Sequence, residues 1–258
     1  MTVIHPHSIA TSLTVRYNSV DALRGFAMLW MTVFHFCFDL SHFGYWPQNF
    51  RADPFWTWQR TAIVSLFLFC AGLGQAIALK QGQGWGRFWR RWLQIAGCAL
   101  LVTISSFVMF PQSYIYFGVL HGMAVMLLVV RFTAGWGRWL WLAGLVALAL
   151  PWCAQLLLTG GAEWAPVLNA RSLNWLGLVS RKPFTEDYVP VLPWLGVLWW
   201  GLAAGQWMLS RSANWVPRDV PPFLRPLASL GRWSLSYYML HQPVMIGGLM
   251  ALGWVLKR

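Results

Sequence analysis

Runs of roughly twenty apolar residues, the length that crosses a bilayer, recur at 19–40, 58–79, 92–109, 117–132, 138–158, 191–209 and 234–255. The pattern predicts an all-α polytopic transmembrane helix bundle of seven spans. The first run, VDALRGFAMLWMTVFHFCFDLSH, is interrupted by Asp21, Arg24, His35, Asp39 and His42. At about 100° per residue, the eleven steps from Arg24 to His35 leave the two side chains within about 20° of each other. Asp21, Asp39 and His42 fall on or beside the same stripe, because steps of three, four and seven stay on one helical face. Ionisable groups inside a bilayer cost about 2.5–3.5 kcal/mol each on insertion scales, so they face a protein interior or a wet cavity. Chemistry is therefore expected along this line.

Composition agrees with the pattern. Hydrophobic residues make up 58% of the 258 and charged residues 10%, against about 25% charged in soluble domains. Residues 1–18 are polar and no small-residue cleavage site follows the first run, so that run is expected to be retained as a helix. A net charge of +12 would suggest nucleic acid in a soluble protein, but here the cations sit between spans. Lys80, Arg87, Arg90 and Arg91 separate the second and third runs, Arg131 and Arg138 flank the fourth and fifth, and Arg211, Arg218, Arg225 and Arg232 precede the last. The alternate connections are poorer: FPQSYIYFG carries no charge, and 159–190 balances cations against acids. The positive-inside rule puts the N-terminus in the cytoplasm and, with seven spans, the C-terminus outside, although Lys257 and Arg258 pull the other way. No nucleic-acid partner is expected.

The four cysteines lie inside apolar runs without CxxC spacing and suggest neither disulfides nor zinc. Tryptophans gather at span ends, as in WGRFWRRWLQ, where indole rings suit the headgroup level; the segment reads as such a span end or as a short interfacial helix. Gly201 and Gly205 form a small-xxx-small surface for close helix approach. With no repeat and no connection long enough for a second unit, residues 1–258 read as one domain.

His35 lies beyond the midpoint of the first span. Its imidazole can act as base or nucleophile near neutral pH, and Asp39, one turn on, can orient it. Arg24, about 16 Å away by eleven rises of 1.5 Å, can hold phosphate as a bidentate guanidinium, with Arg87, Arg90 and Arg91 nearby; it can equally snorkel to the membrane surface. His121 and His241 lie in other spans. Tyr238 and Ser234 precede His241 by three and seven residues, so one face can carry a hydrogen-bonded trio that binds substrate or stabilises packing. Three intramembrane histidines also raise a haem reading. Haem would explain neither Asp39 nor Arg24, and no metal or haem is expected. In TEDYVPVLPW, the residues Asp187, Tyr188 and Trp194 suit a sugar hydroxyl or amine, or a plain loop cap.

The blocks RYNSVDALRGFAMLWMTVFHFCFDL, SLFLFCAGLG, IYFGVLHGMAVMLL, DYVPVLPWLGVLWWGLAAG and GRWSLSYYMLHQPV, in this order, resemble the heparan-α-glucosaminide N-acetyltransferase-like family of bacterial membrane proteins. The Arg24 to His35 spacing is similar to the R-x10-H element of the wider acyltransferase-3 group. The resemblance implies transfer of an acyl group, usually acetyl, from cytoplasmic acyl-CoA to a glycan or glycolipid acceptor across a bacterial inner membrane. It makes His35 the matching catalytic histidine and Arg24 the arginine on the CoA side. In eukaryotic members the histidine falls just past this helix, which makes His42 the rival. Asp39 would orient the imidazole, and acetyl-CoA would be the donor substrate. A transporter or exporter using the polar stripe as a path is the alternative reading, although the hydropathy shows no symmetry between halves. Self-association is left open.

Overall fold

The computed structural model describes residues 16–159, 163–211 and 217–256. Most of the polar N-terminal stretch, and Lys257 and Arg258, lie outside the described residues. Every apolar run becomes a helix: α1 (Asn18–His42), α2 (Pro54–Lys80), α3 (Trp85–Met109), α4 (Val119–Thr133), α5 (Trp139–Thr159), α7 (Val191–Arg211) and α9 (Ser234–Leu256). Two short helices, α6 (Ala165–Asn169) and α8 (Arg225–Arg232), lie in the connections. Among the described residues there is no strand, only an isolated bridge between Phe117 and Tyr188.

Local chemistry sets several boundaries. Asp53 accepts the Phe55 N–H at 2.8 Å, and Pro54 occupies the first position of α2, where its missing N–H costs nothing. WGRFWRRWLQ runs unbroken into α3 and forms its first turns, so it is no separate interfacial helix. Among the described residues, five helices (α1, α2, α3, α4 with its following turn, and α5) are long and apolar enough to cross a membrane. Helices α7 and α9 have 21 and 23 residues, so each extends about 30 Å at 1.5 Å per residue. Their Trp, Gly and Gln residues, or Ser, Tyr, His and Gln residues, dilute the hydropathy. Helix α7 is the buried centre of the bundle, whereas α9 packs one side on α1 and leaves Leu240, Val244, Met250 and Trp254 exposed.

Packing fixes the helix directions. Helices α2 and α7 touch through Gly72 and Gly201; a Cβ at Gly72 would run into the Leu198 carbonyl, and one at Gly201 into that of Phe69. Farther along, Gly205 meets Ala76. Residue numbers rise together on both sides, so α2 and α7 run parallel. Helix α4 is also parallel to α7, as Trp199 Nε1 donates to Thr133 and Gln206 to the Ala134 carbonyl. Helix α5 is antiparallel to α7, with Trp141 beside Trp200 and Ala147 beside Gly196. Helix α1 is antiparallel to α2, where Trp30 donates to Gln59 while Arg24 lies beside Gly74. Helices α1 and α9 run in the same direction. All of these relations agree with seven successive crossings.

One end of the bundle therefore collects Arg24, Lys80, Arg91, Arg131, Arg211 and Arg232. The other collects the connections 43–53, 110–118 and 163–190, where acids and bases are mixed. Helix α8 braces α1 at the cationic end: Gly25 and Gly231 face each other so closely that a Cβ on either would strike the opposite backbone.

Candidate active site

An elongated cavity of about 220 Å³ lies between α1, α2, α3, α4 and α9. Arg24, Gln83 and Arg91 line its cationic end; Leu120 and Tyr238 line it deeper in. On α2 the lining runs from Ala78 to Phe67, a helix rise of about 16 Å. The walls are mainly apolar. Arg24 Nη1 is held by Asp21 Oδ1 at 3.2 Å, and Arg16 bonds the other carboxylate oxygen at 2.6 Å. The Arg24 side chain remains 23% exposed. A guanidinium oriented in this way can still receive an anion. Arg91 bonds Gln94 at 3.2 Å. Arg87 and Arg90 are exposed on the first turns of α3 and do not line the cavity.

Gln75 was not singled out by its sequence, yet its Oε1 is buried beside this cavity without a hydrogen-bond partner. The available signal was its place on a line of small residues, Ala71, Gly74 and Ala78, at helical spacing.

Tyr238 closes the deep end. One turn later, α9 meets α1 along a polar seam. Thr32 Oγ1 lies 2.8 Å from the Met28 carbonyl, to which it donates, so Tyr237 must donate its hydroxyl to Thr32 at 2.6 Å. Next, the rings of His35 and His241 lie 5.3 Å apart between centroids. Beyond them, Gln242 Nε2 donates to Asp39 Oδ1 at 2.8 Å. Asp39 is 3% exposed, and its Oδ2 has no partner. The expected carboxylate for His35 is thus engaged by α9, and no hydrogen bond joins Asp39 to His35. The Ser234–Tyr238–His241 trio is also replaced, since His241 Nδ1 bonds the backbone carbonyl of Tyr238 at 2.7 Å and not its hydroxyl.

His42 ends α1 on the side away from the cations. It stacks on Phe38 at 6.5 Å and lines a second, shallower pocket of about 250 Å³ with Ser41, Gln48, Asn49 and Arg51. His121 is the third residue of α4. Its Nδ1 accepts the Gly118 N–H at 3.2 Å, so the ring proton is on Nε2 and points to Thr103 at 2.9 Å. This assignment makes His121 a cap for α4 and leaves neither nitrogen free.

Asp187 also serves the start of α4, accepting the Val119 N–H at 2.8 Å. Burial pushes its carboxyl above the usual 3.8, opposed by the Val119 N–H and by the charges of Lys182 and Arg60. Burial and the neighbouring Arg60 push the Lys182 amine down, with Asp187 acting against them. Tyr188 donates to the Asn174 carbonyl at 2.6 Å, and burial raises its phenol. Asn174 donates to Tyr116 at 2.8 Å. Trp194 packs against the core at the start of α7. The sequence-expected trio is thus largely occupied in joining 170–190 to α4 and α7. Arg60, unremarked in the sequence because it lies inside an apolar run, is near enough to Asp187 for their charges to interact, without forming an ion pair.

A raised carboxyl pKa contributes stability below its usual value and loses it as pH rises through the folded value. Asp187→Asn keeps an acceptor oxygen but has no proton to lose. It is expected to flatten the fall of Tm with rising pH above about 4 in detergent. Asp187→Ala, which removes the acceptor, should cost about 1 kcal/mol below about pH 4 and less as the pH rises.

The catalytic-domain model of heparan-alpha-glucosaminide N-acetyltransferase matches residues 16–243. The chain belongs to this family. The match extends from the Arg16–Asp21 pair through the histidine seam, so the cavity and the seam both fall within the family's catalytic domain. Family membership and the apolar helices make this an integral membrane protein of the N-acetyltransferase class. No match is found among curated proteins or among solved structures.

Proposed function

We propose that this heparan-α-glucosaminide N-acetyltransferase-like chain transfers an acyl group, acetyl in the first instance, from cytoplasmic acyl-CoA to a glycan or glycolipid acceptor on the far side of a bacterial inner membrane. The observation that carries the reading is the channel that starts at Arg24 and Arg91 and ends at Tyr238, one turn from the paired histidines. Gathering of the cations at the Arg24 end supports a cytoplasmic N-terminus by the positive-inside rule.

Arg24 and Arg91 would hold the phosphates of CoA, while the pantetheine arm runs inward past Gln75. The thioester would then lie near Tyr238, within reach of His35 and His241. The acceptor would arrive from the opposite end, past the 163–190 connection. His35 acts there as base or as nucleophile. Asp39, tied to Gln242, fixes α9 against α1 and holds the two imidazoles at their separation.

The direct test is a labelled acetyl-CoA assay on membranes containing the chain, followed by identification of the labelled product. Transfer to a sugar-bearing acceptor is expected; absence of label in any membrane fraction would remove the reading. Replacing Arg24 with Ala is expected to raise the KM for acetyl-CoA about 10- to 100-fold, the loss of one charge-assisted hydrogen bond. The KM for acceptor should stay within about threefold, because Arg24 acts on the donor side. Equal changes in both would mark a structural arginine.

A further inference from the structure

Among the histidines of the described helices, His241 has a combination the others lack. Its Nδ1 lies 2.7 Å from the Tyr238 carbonyl. A carbonyl cannot donate, so Nδ1 carries the proton and Nε2 carries the lone pair. That tautomer is fixed by backbone that cannot rotate away. Yet Nε2 is buried and accepts no hydrogen bond, in a residue only 8% exposed. A buried acceptor left unsatisfied is costly, and such atoms mark places where a ligand donor arrives. His121 has both nitrogens engaged, and His42 lies at the exposed end of its helix. His35 has no hydrogen bond to fix its tautomer.

The surroundings hold the ring still. Tyr237 stacks nearly parallel on it, with 5.9 Å between centroids and an 11° tilt, and Tyr237 is itself anchored to Thr32. Tyr238, at the end of the channel, contacts it at 5.7 Å. His35 stands 5.3 Å away on α1. Two imidazolium ions at that distance repel in a low-dielectric site, so the pair holds at most one extra proton.

We infer that His241 Nε2 is the atom that takes the proton from the acyl acceptor. This rests on the acyl-transfer reading above and deepens it. As the acceptor oxygen or nitrogen bonds the acyl carbon, the bond from that carbon to its carrier breaks. The carrier is the CoA sulfur in direct transfer, or a His35 nitrogen if an acyl-enzyme forms. The acceptor proton passes to His241 Nε2 and is then returned to the departing carrier atom, leaving both imidazoles neutral. Nδ1 keeps its bond to the Tyr238 carbonyl throughout, and that carbonyl stabilises the transient cation. With that proton assigned to His241, His35 serves as the nucleophile in the acyl-enzyme route and, in direct transfer, positions the acceptor in place of acting as its base.

The test uses the full chain in detergent or vesicles, with His241→Asn as the variant. Its amide N–H can replace Nδ1–H toward the Tyr238 carbonyl, while the Nε2 lone pair is gone. With acetyl-CoA and membrane-extracted acceptor, kcat should fall about 100-fold or more, the scale of a lost general base. Binding of CoA, measured by titration, should stay within about threefold, since the phosphate-binding arginines are untouched. His241→Gln is the second variant, scored if the first loses the wild-type unfolding transition. A folded variant that retains more than a tenth of kcat overturns the assignment. So does one that loses CoA binding in proportion to kcat, because His241 is then a packing residue. If the wild-type chain transfers no acetyl at all, the acyl-transfer reading itself fails, which separates the two conclusions.

Discussion

His35→Ala is expected to lower kcat for acetyl transfer by about 10²- to 10⁴-fold, the range for removing a positioned acid, base or nucleophile. His42→Ala should keep most of the activity. The two residues share a helical stripe but not an environment. His35 faces His241 at 5.3 Å, next to the closed end of a channel whose opposite end holds Arg24 and Arg91. His42 is exposed, two turns farther along α1, and stacks on Phe38 with Phe43 edge-on beside it, over a shallow pocket. The check is initial-rate transfer of labelled acetyl by each purified variant, with acceptor saturating. The reverse result, an active His35→Ala and a dead His42→Ala, would move the chemistry to the pocket formed with Gln48, Asn49 and Arg51.

The second large effect concerns the scaffold. Gly201→Ala is expected to leave little folded protein, because the added methyl would meet the Phe69 carbonyl, and backbone on both sides cannot yield without separating α2 from α7. Overpacking a close contact costs about 1–3 kcal/mol or more. Here the contact lies at the bundle centre, and Gly72→Ala should behave alike from the other side. Gly97→Ala on α3 is the control: nothing lies within 4 Å of the added Cβ. A helical Gly→Ala change in open space gains about 0.5–1 kcal/mol. Thermal unfolding and size-exclusion profiles in detergent compare the three. A Gly201→Ala protein that runs and unfolds like wild type would show that α2 and α7 are less tightly joined than their backbones indicate.

These two expectations draw on different amounts of sequence information. The glycines at 201 and 205 were readable as a close-approach surface from spacing alone, but the partner was not. A small-residue face does not say which helix it meets, and only packing revealed Gly72 and Ala76 on α2. Likewise, the spacing of Arg24 and His35 put both on one face without saying what that face meets. Periodicity paired His35 with Asp39, since i and i+4 lie adjacent on a helix. The fold gives Asp39 to Gln242 and gives His35 to His241, because α9 lies against α1 and supplies nearer partners. Of the four arginines expected to hold phosphate, Arg24 and Arg91 converge on the channel. Arg90 points elsewhere because successive helical residues are about 100° apart, and Arg87, on the same face as Arg91, falls short because it lies one turn, about 6 Å, nearer the helix end. Asp187 and Tyr188 read, from composition, either as sugar contacts or as a plain loop cap. In the fold, Asp187 caps α4 and Tyr188 ties down the loop around Asn174.

The sequence by itself determined the class of molecule: seven apolar runs, a polar stripe in the first, cations grouped between alternate runs, and five blocks resembling an acetyltransferase family. Those features depend on hydrophobic length, helical period and charge placement, which are local properties of the chain. Tertiary structure decided which polar groups meet. It brought α9 parallel to α1, joined His35 to His241 across 205 intervening positions, left Nε2 of His241 unpaired and opened the channel from Arg24 to Tyr238. Long-range pairings of this kind depend on the packing of whole helices, and no period within one helix encodes them.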